Sequence, residues 1–144
     1  MDADSLPHGL WGSADIVTYD ELLTAQKVLR DSCPDVLRTP LLPSWPIEGM
    51  HINLKLESLQ TTGSFKIRGM RYKLHSCDLC RLKEHGVVTL SAGNAGKAVS
   101  YLAQSTGIDA KIYMPDTAPE DRKIIMEEMG ATVVQVGLSD LFSI

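Results

Sequence analysis

Two short segments hold residues whose types and spacing could do chemistry. The first is Thr61-Thr62-Gly63-Ser64-Phe65-Lys66-Ile67-Arg68-Gly69. Lys66 falls in the first turn of a helix expected over 64–75, where the positive end of the helix dipole disfavours an ammonium. That placement favours the neutral amine, which is the form Schiff-base chemistry needs. The plain alternative is a solvated lysine on an amphipathic helix. The second segment is Ser91-Ala92-Gly93-Asn94-Ala95-Gly96. It offers clustered backbone N–H groups, a hydroxyl and an amide where a strand should turn into a helix. Such a nest can hold a carboxylate or a phosphate. The plain alternative is that a tight turn needs small residues for steric reasons.

Two further patterns carry less. Cys77-Asp78-Leu79-Cys80 has metal-ligand spacing, with His75 and His85 nearby. A structural zinc site presents two strong ligand pairs, and only one is here, so no metal is expected. A redox Cys-x-x-Cys opens a helix after a strand, whereas this one follows a helical stretch. Ordinary thiols near a helix end are the reading. Residues 91–98 also imitate a phosphate-binding P-loop through Gly96-Lys97. However, Ser91 stands where the first glycine belongs, and Ala98 where the magnesium-binding hydroxyl belongs.

The elements that must position these residues follow from periodicity and punctuation. Thr18-Tyr19-Asp20-Glu21 reads as a capping box. Leu22, Ala25, Val28 and Leu29 then share one helical face, which Cys33-Pro34 ends. Pro40, Pro43 and Pro46 predict an irregular connection over 39–50. Ile52, Leu54 and Leu56 alternate with polar residues, as in a half-buried strand. Val87-Val88-Thr89-Leu90 is a short strand, and a helix is expected from Lys97 to a stop at Gly107, with Ala98, Tyr101 and Leu102 on one face. A strand over 110–114, a helix over 120–129 stopped by Gly130, and a strand over 132–136 complete β-α-β-α-β. That order implies an α/β fold with an open parallel sheet and right-handed crossovers. Ligands of such sheets gather at the carboxyl ends of the strands, where residues 91–96 lie.

Bulk properties narrow the function. The 144 residues carry 14 Lys+Arg against 18 Asp+Glu, a net charge of -4. A nucleic-acid surface would be basic, so no nucleic-acid partner is expected. No apolar run reaches the length of a membrane span. The acidic first residues lack the basic and apolar regions of a signal peptide, and no Arg precedes Arg30, against a transit peptide. Three cysteines without a secretion signal suggest reduced thiols and a cytoplasmic location. Residues 1–17 show no periodicity and are expected to form a flexible arm.

Taken together, TTGSFKIRG followed by SAGN on a strand-to-helix turn resembles the pyridoxal-phosphate enzymes of the tryptophan-synthase-β fold, also called fold type II. The serine/threonine dehydratases and serine racemases are the branch most alike. Arg38-Thr39-Pro40-Leu41, Lys55-Leu56-Glu57, Met114-Pro115, Thr117-Ala118-Pro119 and Gly130-Ala131-Thr132-Val133-Val134 occur in the family's order. The resemblance implies that Lys66 holds pyridoxal 5'-phosphate as a Schiff base and moves the substrate α-proton. It implies that Phe65 packs beside the cofactor ring and that Asn94 bonds the ring hydroxyl. Ser91, Gly93, Asn94 and their backbone amides would hold the substrate carboxylate, and Ser64 would also touch substrate. Two departures stand out. Ala95 replaces the histidine of many relatives, and the family's chains run far beyond residue 144.

By the same resemblance, residues 18–75 would belong to a large cofactor domain and 76–144 to a small βαβαβ domain cut short at its end. The fold would then be incomplete, without the glycine-rich loop that cups the cofactor phosphate. The implied activity is an L-serine/L-threonine ammonia-lyase giving pyruvate or 2-oxobutyrate plus ammonia. A small amino acid would be its partner, and a homo-oligomer is left open. Two alternatives stand beside it: a serine-racemase-type member, and a non-catalytic fragment acting through protein association.

Overall fold

Thr18 starts the first helix, α1 (Tyr19–Ser32), in the computed structural model of the chain, which describes residues 17–47, 50–137 and 139–140. The capping box is formed: Thr18 Oγ1 accepts from Glu21 N at 3.3 Å, and Thr18 N donates to Glu21 Oε2 at 2.7 Å. Two otherwise orphaned donors are thereby satisfied. The face bearing Leu22, Ala25, Val28 and Leu29 is only partly covered; no residue of α1 is buried, and Leu22 is 56% exposed. The expected arm lies outside the described residues, except Val17.

The proline-rich stretch departs from expectation. It forms β1 (Leu41–Ile47), which pairs antiparallel with β2 (Met50–Lys55). The register shifts between Leu42 and Trp45, so Pro43 falls in an irregular step. A two-stranded ribbon leaves each strand a free edge, where a residue without an N–H breaks no ladder bond. Within β2 only Ile52 is half-buried, so the alternating pattern makes a strand without a covered face.

After a short 3-10 turn (Glu57–Leu59) come α2 (Lys66–His75) and α3 (Leu79–His85), then β3 (Val87–Leu90), α4 (Asn94–Thr106), β4 (Ala110–Pro115), α5 (Glu120–Glu128) and β5 (Thr132–Val136). The three strands form a parallel sheet in the order β3-β4-β5. That order moves one way across the sheet, so right-handed crossovers put α4 and α5 on the same face. Burial agrees: Ala110, Ile112 and Met114 of β4 are buried in one cluster with Ala103 of α4 and Met126 of α5. A second cluster joins α2 to α4 through Ile67, Ala98 and Leu102.

One boundary differs from expectation. Helix α4 begins at Asn94, three residues before Lys97, because the small-residue turn is itself the first helical turn. Gly107 ends the helix in the left-handed conformation at φ 68°, as expected, and Ile108 N donates to Ala103 O at 2.9 Å. At the other end, Asp140 N donates to Gly137 O in a turn. Residues 138 and 141–144 lie outside the described ones.

Candidate active site at the starts of α2 and α4

The loop before α2 reverses the usual order of burial. Gln60, Thr62 and Ser64 are buried, while Thr61, Gly63, Phe65 and Lys66 are exposed. Alternation of this kind needs polar partners inside, and two of the three have them. Gln60 accepts from Leu37 N at 3.0 Å and donates to Leu37 O at 2.7 Å. Ser64 Oγ accepts from Lys66 N at 3.4 Å. Thr62 Oγ1 is buried with no hydrogen-bond partner among the described residues. Gly63 takes a positive φ of 74°, which an L side chain rarely adopts, and so turns the chain into the helix.

Lys66 is the first residue of α2, and Nζ sits 5.2 Å from the centroid of the Phe65 ring, itself 56% exposed. No carboxylate pairs with Lys66 among the described residues. Its amine and the aromatic face beside it are therefore open to a ligand. Phe65 holds the N-cap position with a helical backbone and no side-chain cap bond.

At α4 the turn expected to hold an anion is closed in part by its own hydrogen bonds. Ser91 Oγ accepts from Gly96 N at 2.9 Å and from Gly93 N at 3.3 Å. A hydroxyl has two acceptor positions and one hydrogen, so Ser91 is left to donate outward. The first turn of a helix leaves several N–H groups unpaired. Here those of Asn94 and Ala95 have no acceptor among the described residues. Asn94 is exposed, and Ser91 and Gly93 are half-buried. Together they make a set of donors that suits a carboxylate.

Packing brings the two segments together. Ile67, next to Lys66, is fully buried against Ala98 and Leu102 of α4. Lys97 reaches back across the gap, its Nζ 3.9 Å from where a Cβ on Gly63 would lie. Both helices therefore present their first turns at one end of the pair. The cysteine pair takes no part: Asp78 caps α3 by accepting from Cys80 N at 2.9 Å, and all three cysteines are free. No cluster of three metal-binding side chains occurs among the described residues.

Three residues at the site carry no sequence signal strong enough to find them. Arg122 of α5 donates to Ala92 O at 3.2 Å, and its Nη1 would lie 2.9 Å from a Cβ on Gly93. Glu57 and Arg68 form a two-bond ion pair, Nε to Oε2 and Nη2 to Oε1, both at 2.8 Å. The Arg68 hydrogen bonds, helped by the Thr39 hydroxyl and Gln60, hold the Glu57 carboxyl down at about 2. Only the spacing of Lys55-Leu56-Glu57 from Lys66-Ile67-Arg68 within the resemblance hints at that pair.

Known proteins resemble the chain in sequence and fold. L-threonine dehydratase catabolic TdcB of Staphylococcus aureus is 38% identical over 130 residues, covering 87% of this chain and 36% of that protein. Serine racemase of Homo sapiens is 36% identical over 129 residues, 86% of this chain and 37% of that protein. The chain thus spans little more than a third of these relatives. The crystal structure of serine racemase from Dictyostelium discoideum superposes with a TM-score of 0.75 at 32% identity, covering 88% of this chain and 41% of that one. The profile of the family described as pyridoxal-phosphate dependent enzyme matches residues 33–142, which include both helix starts. The chain belongs to the pyridoxal-phosphate-dependent enzyme family.

Proposed function

We propose that this chain carries the lysine and carboxylate-binding part of an L-serine/L-threonine ammonia-lyase site, which releases ammonia and leaves pyruvate or 2-oxobutyrate. The observation that carries the reading is the meeting of the two helix starts, with the open Lys66 amine at one and the donor set of Ser91, Asn94 and Ala95 at the other. The residues present fit pyridoxal phosphate. Among the described residues Lys66 is unpaired, the Phe65 ring is exposed beside it, and Thr62 Oγ1 is a buried hydroxyl without a partner.

The bound cofactor supplies an electron sink for the pair left when the substrate α-proton departs. The protein's own groups do the rest. Lys66 Nζ anchors the cofactor and afterwards takes the α-proton. Asn94 orients the ring through its amide. Ser91 donates its free hydrogen, and Asn94 and Ala95 their N–H groups, to the substrate carboxylate. Elimination is favoured over racemisation by Ala92. Inverting the α-carbon requires a proton carrier on each face, and Lys66 is one. Ala92 offers only a methyl group, packed against the sheet core.

Borohydride reduction in the presence of pyridoxal phosphate, followed by peptide mapping, tests the assignment. The label is expected on Lys66. Labelling at Lys55 or Lys97 in its place overturns it.

A further inference from the structure

We propose that Glu57 and Arg68 are positioning residues for Lys66: their ion pair sets the direction in which the lysine amine leaves α2. The inference rests on the reading of Lys66 given above.

Helix α2 begins without an ordinary cap. Phe65 is helical at the N-cap position and lends no side-chain bond, and the contact from Lys66 N to Ser64 Oγ is long at 3.4 Å. First turns so poorly capped fray unless something else holds them. Successive residues of a helix point about 100° apart, so Lys66, Ile67 and Arg68 leave the axis in three directions. Ile67 is fully buried against α4. Arg68 is tied on another side, by its two bonds to Glu57 and by Nη2 donating to Leu37 O at 3.0 Å. With two directions fixed, the rotation of the turn about its axis is fixed, and so is the third direction, that of Lys66.

Glu57 is itself immobilised. Thr39 Oγ1 donates to its Oε1 at 2.5 Å and Gln60 Nε2 to its Oε2 at 3.2 Å. Lys55 Nζ donates to Thr39 O at 2.5 Å, which ties the end of β2 into the same set. Side-chain exposure is 18% for Glu57 and 34% for Arg68. Removing a pair of charges from water to that degree is weak as a device for stability alone. A planar two-bond fork does, however, fix orientation as a single bond or an apolar contact does not.

The test compares two labels on the folded 144-residue protein. Pyridoxal phosphate with borohydride reports whether Lys66 is aimed into the site; trace acetylation with acetic anhydride reports amine accessibility and basicity. In the wild type, Lys66 should take the pyridoxyl label at least tenfold over Lys55 and Lys97. Without that preference the reading of Lys66 falls, and this inference with it. Given that preference, Glu57→Gln and Arg68→Met should each cut it at least fivefold. The acetylation ratio and the far-ultraviolet circular dichroism should stay unchanged, and the double variant should be no worse than either single one. If Glu57→Gln fails to fold, Glu57→Asp keeps the charge, withdraws it by one methylene and should show the same loss. Arg68→Lys, a cation without the fork, should recover less than half of it. Folded variants that keep the wild-type preference, or that lose pyridoxyl and acetyl labels in parallel, overturn the inference.

Discussion

Ala92 and Glu57 each give a prediction at the scale of one residue. On the ammonia-lyase reading, a version extended to the relatives' length and given L-serine and pyridoxal phosphate should form pyruvate and ammonia faster than D-serine, because Ala92 carries no proton donor. D-serine appearing as fast as pyruvate would refute elimination. Ala92→Ser should add a measurable D-serine product, read by chiral chromatography, if the absent hydroxyl decides the outcome. Glu57 concerns stability. Arg68, Thr39 and Gln60 hold its carboxyl at about 2, below its ordinary 4.5. The depressed group contributes stability that is complete above about pH 4.5 and is lost as pH falls through about 2. Allowing for solvent screening at this partly exposed pair, the contribution is about 1–2 kcal/mol. Urea unfolding of wild type and Glu57→Gln should therefore differ at pH 7 and converge near pH 2. An equal gap at both pH values would show that the carboxylate's ionisation is not what stabilises.

Among the elements, α4 is placed by its small residues. A Cβ on Gly96 would meet Met126 Sδ at 2.5 Å, Ser91 O at 3.3 Å and Ile112 Cγ2 at 3.4 Å. Met126 and Ile112 are both fully buried, so neither can swing aside into solvent. The glycine thus sets how closely α4 approaches α5 and the sheet, and with it the height of the donor turn. Gly96→Ala is expected to cost about 1–3 kcal/mol of stability through overpacking. Calorimetry or chemical unfolding checks this. Trimming the obstacle in Gly96→Ala/Met126→Ala should restore less than is lost, because the Ser91 carbonyl still stands in the way. An unchanged melting temperature for the single variant would mean that the turn is looser than its geometry implies. The glycine was visible in the sequence; the side chains that require it come from β4 and α5, 16 and 30 residues further on.

At the scale of the whole molecule, the described residues cover the parallel sheet on one face only. Helices α4 and α5 cover the face of Ala110, Ile112 and Met114. On the other face Val88 is 67% and Leu90 54% exposed, both on the edge strand β3. Sheets of this type are normally covered on both sides. Apolar surface of that kind drives association. Sedimentation velocity over a range of concentrations is expected to show species heavier than the 15.8 kDa monomer. Val88→Lys with Leu90→Lys should shift the distribution back toward monomer. A single monomeric boundary at all concentrations for the wild type would show that the bare face is tolerated.

Much of this was legible in the sequence, for reasons local to the chain. The capping box at Thr18, the stop at Gly107 and the strands over 87–90 and 132–136 depend on residues close in sequence, so propensity and punctuation decide them. The order β-α-β-α-β with its fixed handedness then gave the sheet. The motif around Lys66 and the turn at Ser91 pointed to the family because their residue types are themselves the chemistry. Other features belonged to the tertiary structure. Prolines 43 and 46 read as a break, yet a ribbon with a free edge accommodates them. Leu22, Ala25, Val28 and Leu29 share one face of α1, yet no residue of that helix is buried, because covering a face needs a neighbour that local pattern does not supply. The resemblance gave Ser91 to the substrate carboxylate; only the structure shows that its oxygen also accepts from two backbone donors, which leaves its hydrogen free. The Glu57–Arg68 pair spans 11 residues, and Arg122 reaches a carbonyl 30 residues away. Periodicity reports which face a residue takes on its own element; which atom it meets on another depends on how the elements pack, and only the folded chain decides that.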